Sequence, residues 1–256
     1  MSTGRTDRGD GVNLAWAHAS GAGPTTVFLP GFRSDMTGAK ALALEAWCMA
    51  RGTACLRLDY SGHGASDGAF TDGTIGRWTE DALVLVDVLT QGPLVLVGSS
   101  MGGWVALLLA RARRARVAGL VGIAAAPDFT EDLMWDAMMP AERARLQRDG
   151  VIQVPSRYGD PTPVTLRLIE DGRDHLLLGE PIHLDCPVRL LHGQNDADVP
   201  WETSLRLAAK LDSTDVQITL IKDGDHRLSR PEDLAVLKRL HAELLPTEQP
   251  PSPPNP

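Results

Sequence analysis

Residues 93–104 read PLVLVGSSMGGW, and the chain continues as VALLLARARR to residue 114. Residues 93–99 make an apolar run with the length of a buried strand, and residues 102–114 repeat apolar side chains at helical spacing. Between them stands only Gly98-Ser99-Ser100-Met101-Gly102, a G-x-S-x-G pattern. In a chain with 25 glycines the pattern alone is a weak signal. Its place between a strand and a helix, with no spacer, is the strong one. The chain must turn sharply at Ser100, and glycine two positions to either side leaves room for neighbouring backbone to pass. Such a turn presents Ser100 Oγ at the C-terminal edge of a sheet, beside the N-terminus of the next helix.

The same alternation extends in both directions. Strands are expected at 14–19, 26–30, 54–59, 93–99, 117–123, 187–192 and 216–222. Helices are expected over 38–52, 75–92 (with Thr74 as N-cap), 102–114, 201–211 and 231–245. Strand followed by helix, with nearly continuous apolar strands, predicts a mainly parallel sheet covered on both faces. The rhythm fails between residues 128 and 186. EDLMWDAMMPAERARLQRDG is an uneven helix, and VIQVPSRYGDPTPVTLRLIEDG reads as neither regular helix nor buried strand. An insertion of about 55 residues is too long for an ordinary loop. The expected organisation is a core of 1–127 and 187–245, a small cap of 128–186 after strand 117–123, and a disordered proline-rich tail at 246–256.

Composition narrows the function classes. Asp and Glu number 33 against 25 Lys and Arg, a formal charge of -8, which argues against a nucleic-acid footprint. Arg111, Arg113, Arg114 and Arg116 cluster, but without interleaved aromatics, as the wet end of a helix. No run of 18 apolar residues occurs, so no stable membrane insertion is expected. Cys48, Cys55 and Cys186 have no metal-like spacing and sit among apolar residues, so small core side chains in a reducing compartment are expected. The first residues, MSTGRTDRGDG, carry no apolar signal region, and the expected location is the cytoplasm. Neither a metal nor a cofactor is expected: HExxH is absent, and no GxGxxG follows a strand. The sequence carries no signal for an oligomeric state.

A serine hydroxyl at its free pKa is a poor nucleophile and needs a base held by an acid. Downstream, LLHGQNDADVP offers Asp196 and Asp198 at one strand end, and TLIKDGDHRLSRPED offers His226 at the next. Nucleophile, acid and base in that chain order suit a strand–serine–helix junction. Asp196 is preferred, because Asp198 directly precedes Val199-Pro200 and a helix start, an ordinary place for a carboxylate. Met101 N–H at the helix start and Phe32 N–H in LPGFRSD, where Gly31 frees the backbone, are the expected oxyanion donors. His63, in SGHG, is read as structural and His192 as packing near the site. Trp135, Met138 and Met139 share helical spacing in the cap and are the candidate walls of an acyl pocket.

With these residues assembled, the chain resembles an α/β-hydrolase. More closely, it resembles the mitochondrial family described as palmitoyl-protein thioesterase and mycophenolate acyl-glucuronide esterase, with its bacterial relatives. The likeness lies in FLPGFRSDMTGAKALALE, LRLDYSGHGASDG, LVGSSMGGW, VPSRYGD, CPVRLLHGQNDADVPW and GDHRLSRPED, across about residues 26–235. The resemblance implies Ser100 as nucleophile, Asp196 as acid, His226 as base and the amides of Phe32 and Met101 as oxyanion hole. It also implies that the acid stands fourth after the histidine of the HG pair, which again selects Asp196. The implied reaction is cofactor-free hydrolysis of a small-molecule ester or thioester, or of an acylated protein. An aminopeptidase-type hydrolase, a C–C bond hydrolase and a non-catalytic interaction protein on the same scaffold stand as alternatives.

Overall fold

Two cores grow from the alternation in the central strand. Leu94 and Leu96 bury on one side of the sheet, Val95 and Val97 on the other, because successive strand residues point to opposite faces. The computed structural model describes residues 1–156 and 159–246. The expected proline-rich tail, apart from Pro246, lies outside the described residues, as do Arg157 and Tyr158 of the VPSRYGD stretch.

The main sheet contains β1 (Ser2–Asp7), β2 (Asn13–Ala19), β3 (Ala22–Leu29), β4 (Thr53–Leu58), β5 (Leu94–Ser99), β6 (Val117–Ile123), β9 (Val188–Gly193) and β10 (Val216–Ile221). Its strand order is β1-β2-β4-β3-β5-β6-β9-β10. From β4 to β10 all pairings are parallel, whereas β1 with β2 and β2 with β4 are antiparallel. The expected mainly parallel sheet is therefore present. β1 was not foreseen, because STGRTD has no apolar alternation. It is an edge strand held by its ladder to β2 and by the Trp16 indole, which closes over Gly4 and donates to Thr6 Oγ1 at 3.0 Å.

Helices cover both faces. α1 (Ala39–Ala50) and α7 (Pro231–Ala242) pack over Phe28, Val95, Val97, Val121 and Ile123, and this core holds Cys48 and Cys55. α2 (Ile75–Leu89), α3 (Met101–Ala112) and α6 (Glu202–Lys210) cover the opposite face, in the core that holds Cys186. Thr74 Oγ1 accepts from Arg77 N–H at 3.2 Å, the expected N-cap of α2. Met101 to Ala110 of α3 are all buried, so this helix is sheathed on every side and its start is rigidly fixed.

Between β6 and β9 the structure corrects the sequence reading. After a wide helical turn at Thr130–Trp135 come α4 (Pro140–Asp149), an antiparallel pair of β7 (Val151–Ser156) and β8 (Gly159–Thr165), and α5 (Leu166–Arg173). The pair escaped detection because it is short and half exposed, and Pro155 sits where the ladder register shifts. Leu146, Ile152, Val164 and Ile169 form a small core of their own. The Asp128 carboxylate ties the segment down by accepting from Leu177 and Leu178 N–H, both at 2.8 Å.

One buried histidine gives the fold a pH dependence. His241 of α7 pairs with Thr26 Oγ1 at 2.8 Å, its Nδ1 has no partner among the described residues, and burial pushes its pKa down to about 4. Between pH 6.5 and 4 the unfolded chain takes up a proton that the folded chain refuses. The stability from this group is therefore complete above pH 6.5 and declines as the pH falls towards 4. His241→Gln is expected to reduce the stability lost between pH 7 and pH 5 by about 2 kcal/mol, measured by urea unfolding at both pH values.

Candidate active site

The β5–α3 junction fixes Ser100 first. Ser100 has φ 55° and ψ -122°, a strained conformation for a residue with a side chain. A Cβ on Gly98 would run into the Gly102 carbonyl, and one on Gly102 into the carbonyls of Leu29 and Pro30 at the end of β3. The glycines at these two positions are thus steric requirements of the turn. Ser100 N–H donates to Ile123 O at 2.9 Å and its carbonyl accepts from Gly103 and Ala126 N–H, so the strained residue is held from both sides.

The loops after β9 and β10 bring the other two groups to Ser100. The Ser100 hydroxyl lies 3.1 Å from His226 Nε2, and His226 Nδ1–H donates to Asp196 Oδ2 at 2.7 Å. Asp196 has a fully buried side chain, which alone would raise its pKa. Hydrogen bonds from His192 and His226 and from the Val199 amide outweigh burial and hold the carboxyl well below the usual carboxylate range. Its Oδ1 accepts from Asp198 and Val199 N–H, both at 2.9 Å. Asp198 thus contributes its backbone N–H to the Asp196 carboxylate, and its own carboxylate lies in the same cluster, with one ligand-type atom each from Asp196, Asp198 and His226 within 4.8 Å of one another.

His192 does more than the packing expected of it. Its ring is wholly buried, and Nε2 faces two acceptors, Asp196 Oδ2 and Val199 O, both at 3.1 Å. Nε2 therefore carries the proton, and Nδ1 accepts from Ser204 Oγ–H at 2.8 Å. Asp196 Oδ2 thus receives two imidazole donors, one from His226 and one from His192. The HG pair four residues before Asp196 is the sequence signal, since a histidine at a strand end can reach back to a carboxylate in the loop that follows.

The loop after β3 faces Ser100: a Cβ on Gly31 would stand 3.3 Å from Ser100 Cβ. Phe32 and Met101, the sequence-derived oxyanion donors, thus flank Ser100 from this loop and from the start of α3. Met101 N–H, in the first residue of α3, has no helical carbonyl ahead of it to bond. The Phe32 ring packs on Phe70, Trp78 and Phe129, with centroids 5.0–5.8 Å apart. This aromatic wall went unforeseen, because its members come from four separate stretches of chain.

The candidate acyl-pocket residues belong to the insertion. Trp135 and Met138 pack against the insertion's own small core, and the guanidinium carbons of Arg143 and Arg173 lie 5.2 and 4.7 Å from the Trp135 ring centroid. Met139, at the N-terminus of α4, is 65% exposed. Leu133 and Met134 are the residues of that turn that pack against the main core.

Comparison with known proteins agrees with this geometry. Residues 25–157 match the family model described as serine aminopeptidase, S33. The human mitochondrial palmitoyl-protein thioesterase ABHD10 is 41% identical over 234 residues, covering 90% of this chain and 76% of that one. Among solved structures, a putative hydrolase from Agrobacterium vitis S4 superposes with a TM-score of 0.92 at 41% identity, covering 96% of this chain and 99% of that one. Mouse ABHD10 superposes with a TM-score of 0.88 at 38% identity, covering 95% of this chain and 98% of that one. With its elbow, its parallel sheet and these relatives, the chain belongs to the α/β-hydrolases, in the family of the palmitoyl-protein thioesterase ABHD10, and is a hydrolase.

Proposed function

We propose that the protein is a serine hydrolase that cleaves carboxylic thioesters and esters through an acyl-enzyme on Ser100. The observation that carries this reading is His226, hydrogen-bonded at 3.1 Å to Ser100 Oγ and at 2.7 Å to Asp196. Ser100 Oγ attacks the substrate carbonyl while His226 Nε2 takes its proton, and the Asp196 carboxylate holds Nδ1–H and stabilises the imidazolium. The amides of Phe32 and Met101 receive the oxyanion, each worth roughly 3 kcal/mol in such sites. The tetrahedral adduct expels thiolate or alkoxide, His226 supplies the proton an alkoxide needs, and water then repeats the sequence on the acyl-enzyme. The curated relatives are named for palmitoyl-protein thioesterase activity, which supports an acyl thioester, on a small molecule or on a protein, as the substrate class.

The test is a fluorophosphonate probe followed by peptide mass mapping, with a matched panel of acyl thioesters, esters, acyl-glucuronides and anilides. Label is expected on Ser100 alone. Thioesters and esters are expected to exceed the matched anilide in kcat/KM by at least about a hundredfold, roughly 2.7 kcal/mol of activation free energy. Preference for the anilide would move the reading to a peptidase, and absence of label would remove the serine mechanism.

A further inference from the structure

His63 lies outside the triad, in the turn after β4, yet it reaches the loop that carries Phe32. Its Nε2 accepts from Arg33 N–H at 3.2 Å and its Nδ1–H donates to Ser61 O at 3.3 Å. That tautomer is required, because a backbone N–H needs a lone pair to receive it. The ring is 4% exposed and packs edge-on against Tyr60, Phe70 and Trp78, with centroids 5.1–5.6 Å away. Burial pushes its pKa down to about 4, so the imidazole is a neutral acceptor at ordinary pH.

The loop it touches is strained and doubly anchored. Arg33 has φ 57°, in the left-handed region that a side chain disfavours, and such strain persists only where surroundings enforce it. Ser34 N–H donates to Gly31 O at 3.0 Å. That carbonyl shares a peptide plane with the Phe32 N–H, so the bond directs this N–H the opposite way. His63 fixes the next peptide, Phe32–Arg33. On the outer side the Arg33 guanidinium holds the insertion, donating to Asp160 O at 2.9 Å and Thr162 Oγ1 at 2.8 Å. The two consecutive peptides on either side of Phe32 are thereby set.

We infer that His63 is a positioning residue for the oxyanion hole: by accepting the Arg33 amide it holds the Phe32 N–H on the oxyanion that forms when Ser100 attacks. The inference rests on the reading of Ser100 and Phe32 given above. It separates His63 from a packing residue, because its effect falls on the transition state and not on substrate binding.

The experiment compares His63→Phe, which keeps a ring and loses the acceptor, with His63→Gln, which keeps an acceptor. Active sites are counted by fluorophosphonate titration to the end point. kcat/KM for a thioester is then measured beside the affinity for an acyl trifluoromethyl ketone, whose adduct with Ser100 carries an oxyanion. His63→Phe is expected to lower kcat/KM about 10- to 100-fold with KM unchanged, and to weaken the ketone by the same factor. His63→Gln should stay within about threefold of the native protein on both measures. If His63→Phe does not fold, His63→Met takes its place, since it differs from His63→Gln chiefly in lacking the acceptor. Equal losses in the acceptor and non-acceptor variants, or native values in both, overturn the inference. Ketone affinity that survives Ser100→Ala overturns the reading of the site itself, and the inference with it.

Discussion

Ser100→Ala is expected to lower kcat for a thioester by about 10⁵- to 10⁶-fold, leaving only the catalysis that oxyanion donors and substrate binding supply without a nucleophile. The fold should tolerate the change. Alanine keeps the same Cβ as serine, so the substitution adds no backbone strain at the elbow. The burial of α3 and the bond from Ser100 N–H to Ile123 O do not involve the hydroxyl. A melting temperature within a few degrees of the native value, together with single-turnover kinetics showing no acyl-enzyme, is the expected pair of results. A folded Ser100→Ala protein that retained more than about 1% of native kcat would end the nucleophile assignment, since removing the serine of such a triad costs far more.

Asp196→Asn should follow with a loss of about 10⁴-fold in kcat. The amide would set an N–H₂ against a ring nitrogen that now donates, and against His192 Nε2–H as well. Relief comes by driving His226 into the opposite tautomer, with its proton on Nε2, where it cannot accept from Ser100. Hydroxide then becomes the better base, so the residual activity should keep rising above pH 8. Asp198→Asn keeps the backbone N–H that Asp196 Oδ1 accepts, and is expected to stay within about tenfold of native kcat. Steady-state pH profiles of the two variants decide the matter. The reverse ranking, or equal large losses, would transfer the acid role.

The central strands β3, β4, β5, β6 and β9 were legible because they are buried on both faces and read as nearly continuous apolar runs, whereas the exposed edge strand β1 was not. The elbow was legible because Gly98 and Gly102 are demanded by backbone contacts and not by taste for flexibility. Ser100, Asp196 and His226 could be named because strand ends in an open parallel sheet converge on one edge. What stayed hidden depends on side chains meeting across the fold. His63 and His192 are single histidines whose partners lie 30 residues upstream and 4 and 12 residues downstream respectively, and no periodicity encodes those encounters. The role of Trp135 and Met138 could not be read, because an apolar helical stripe has the same appearance whether it lines a cavity or fills a core. In the structure both pack against the small core of Leu146, Ile152, Val164 and Ile169.

The placement of the three cysteines has a kinetic meaning. All are buried, Cys48 on the inner side of α1 and Cys55 on β4 in one core of the sheet, and Cys186 in the core on the other face. An alkylating reagent can reach a buried thiol only when the layer above it opens. The protein therefore carries a clock on each side of its sheet. Pulse alkylation of the native chain, read thiol by thiol, reports how often each helical layer lifts and whether the two lift together. The layers with α1 and α7 can be timed against those with α2, α3 and α6 without introducing a foreign probe.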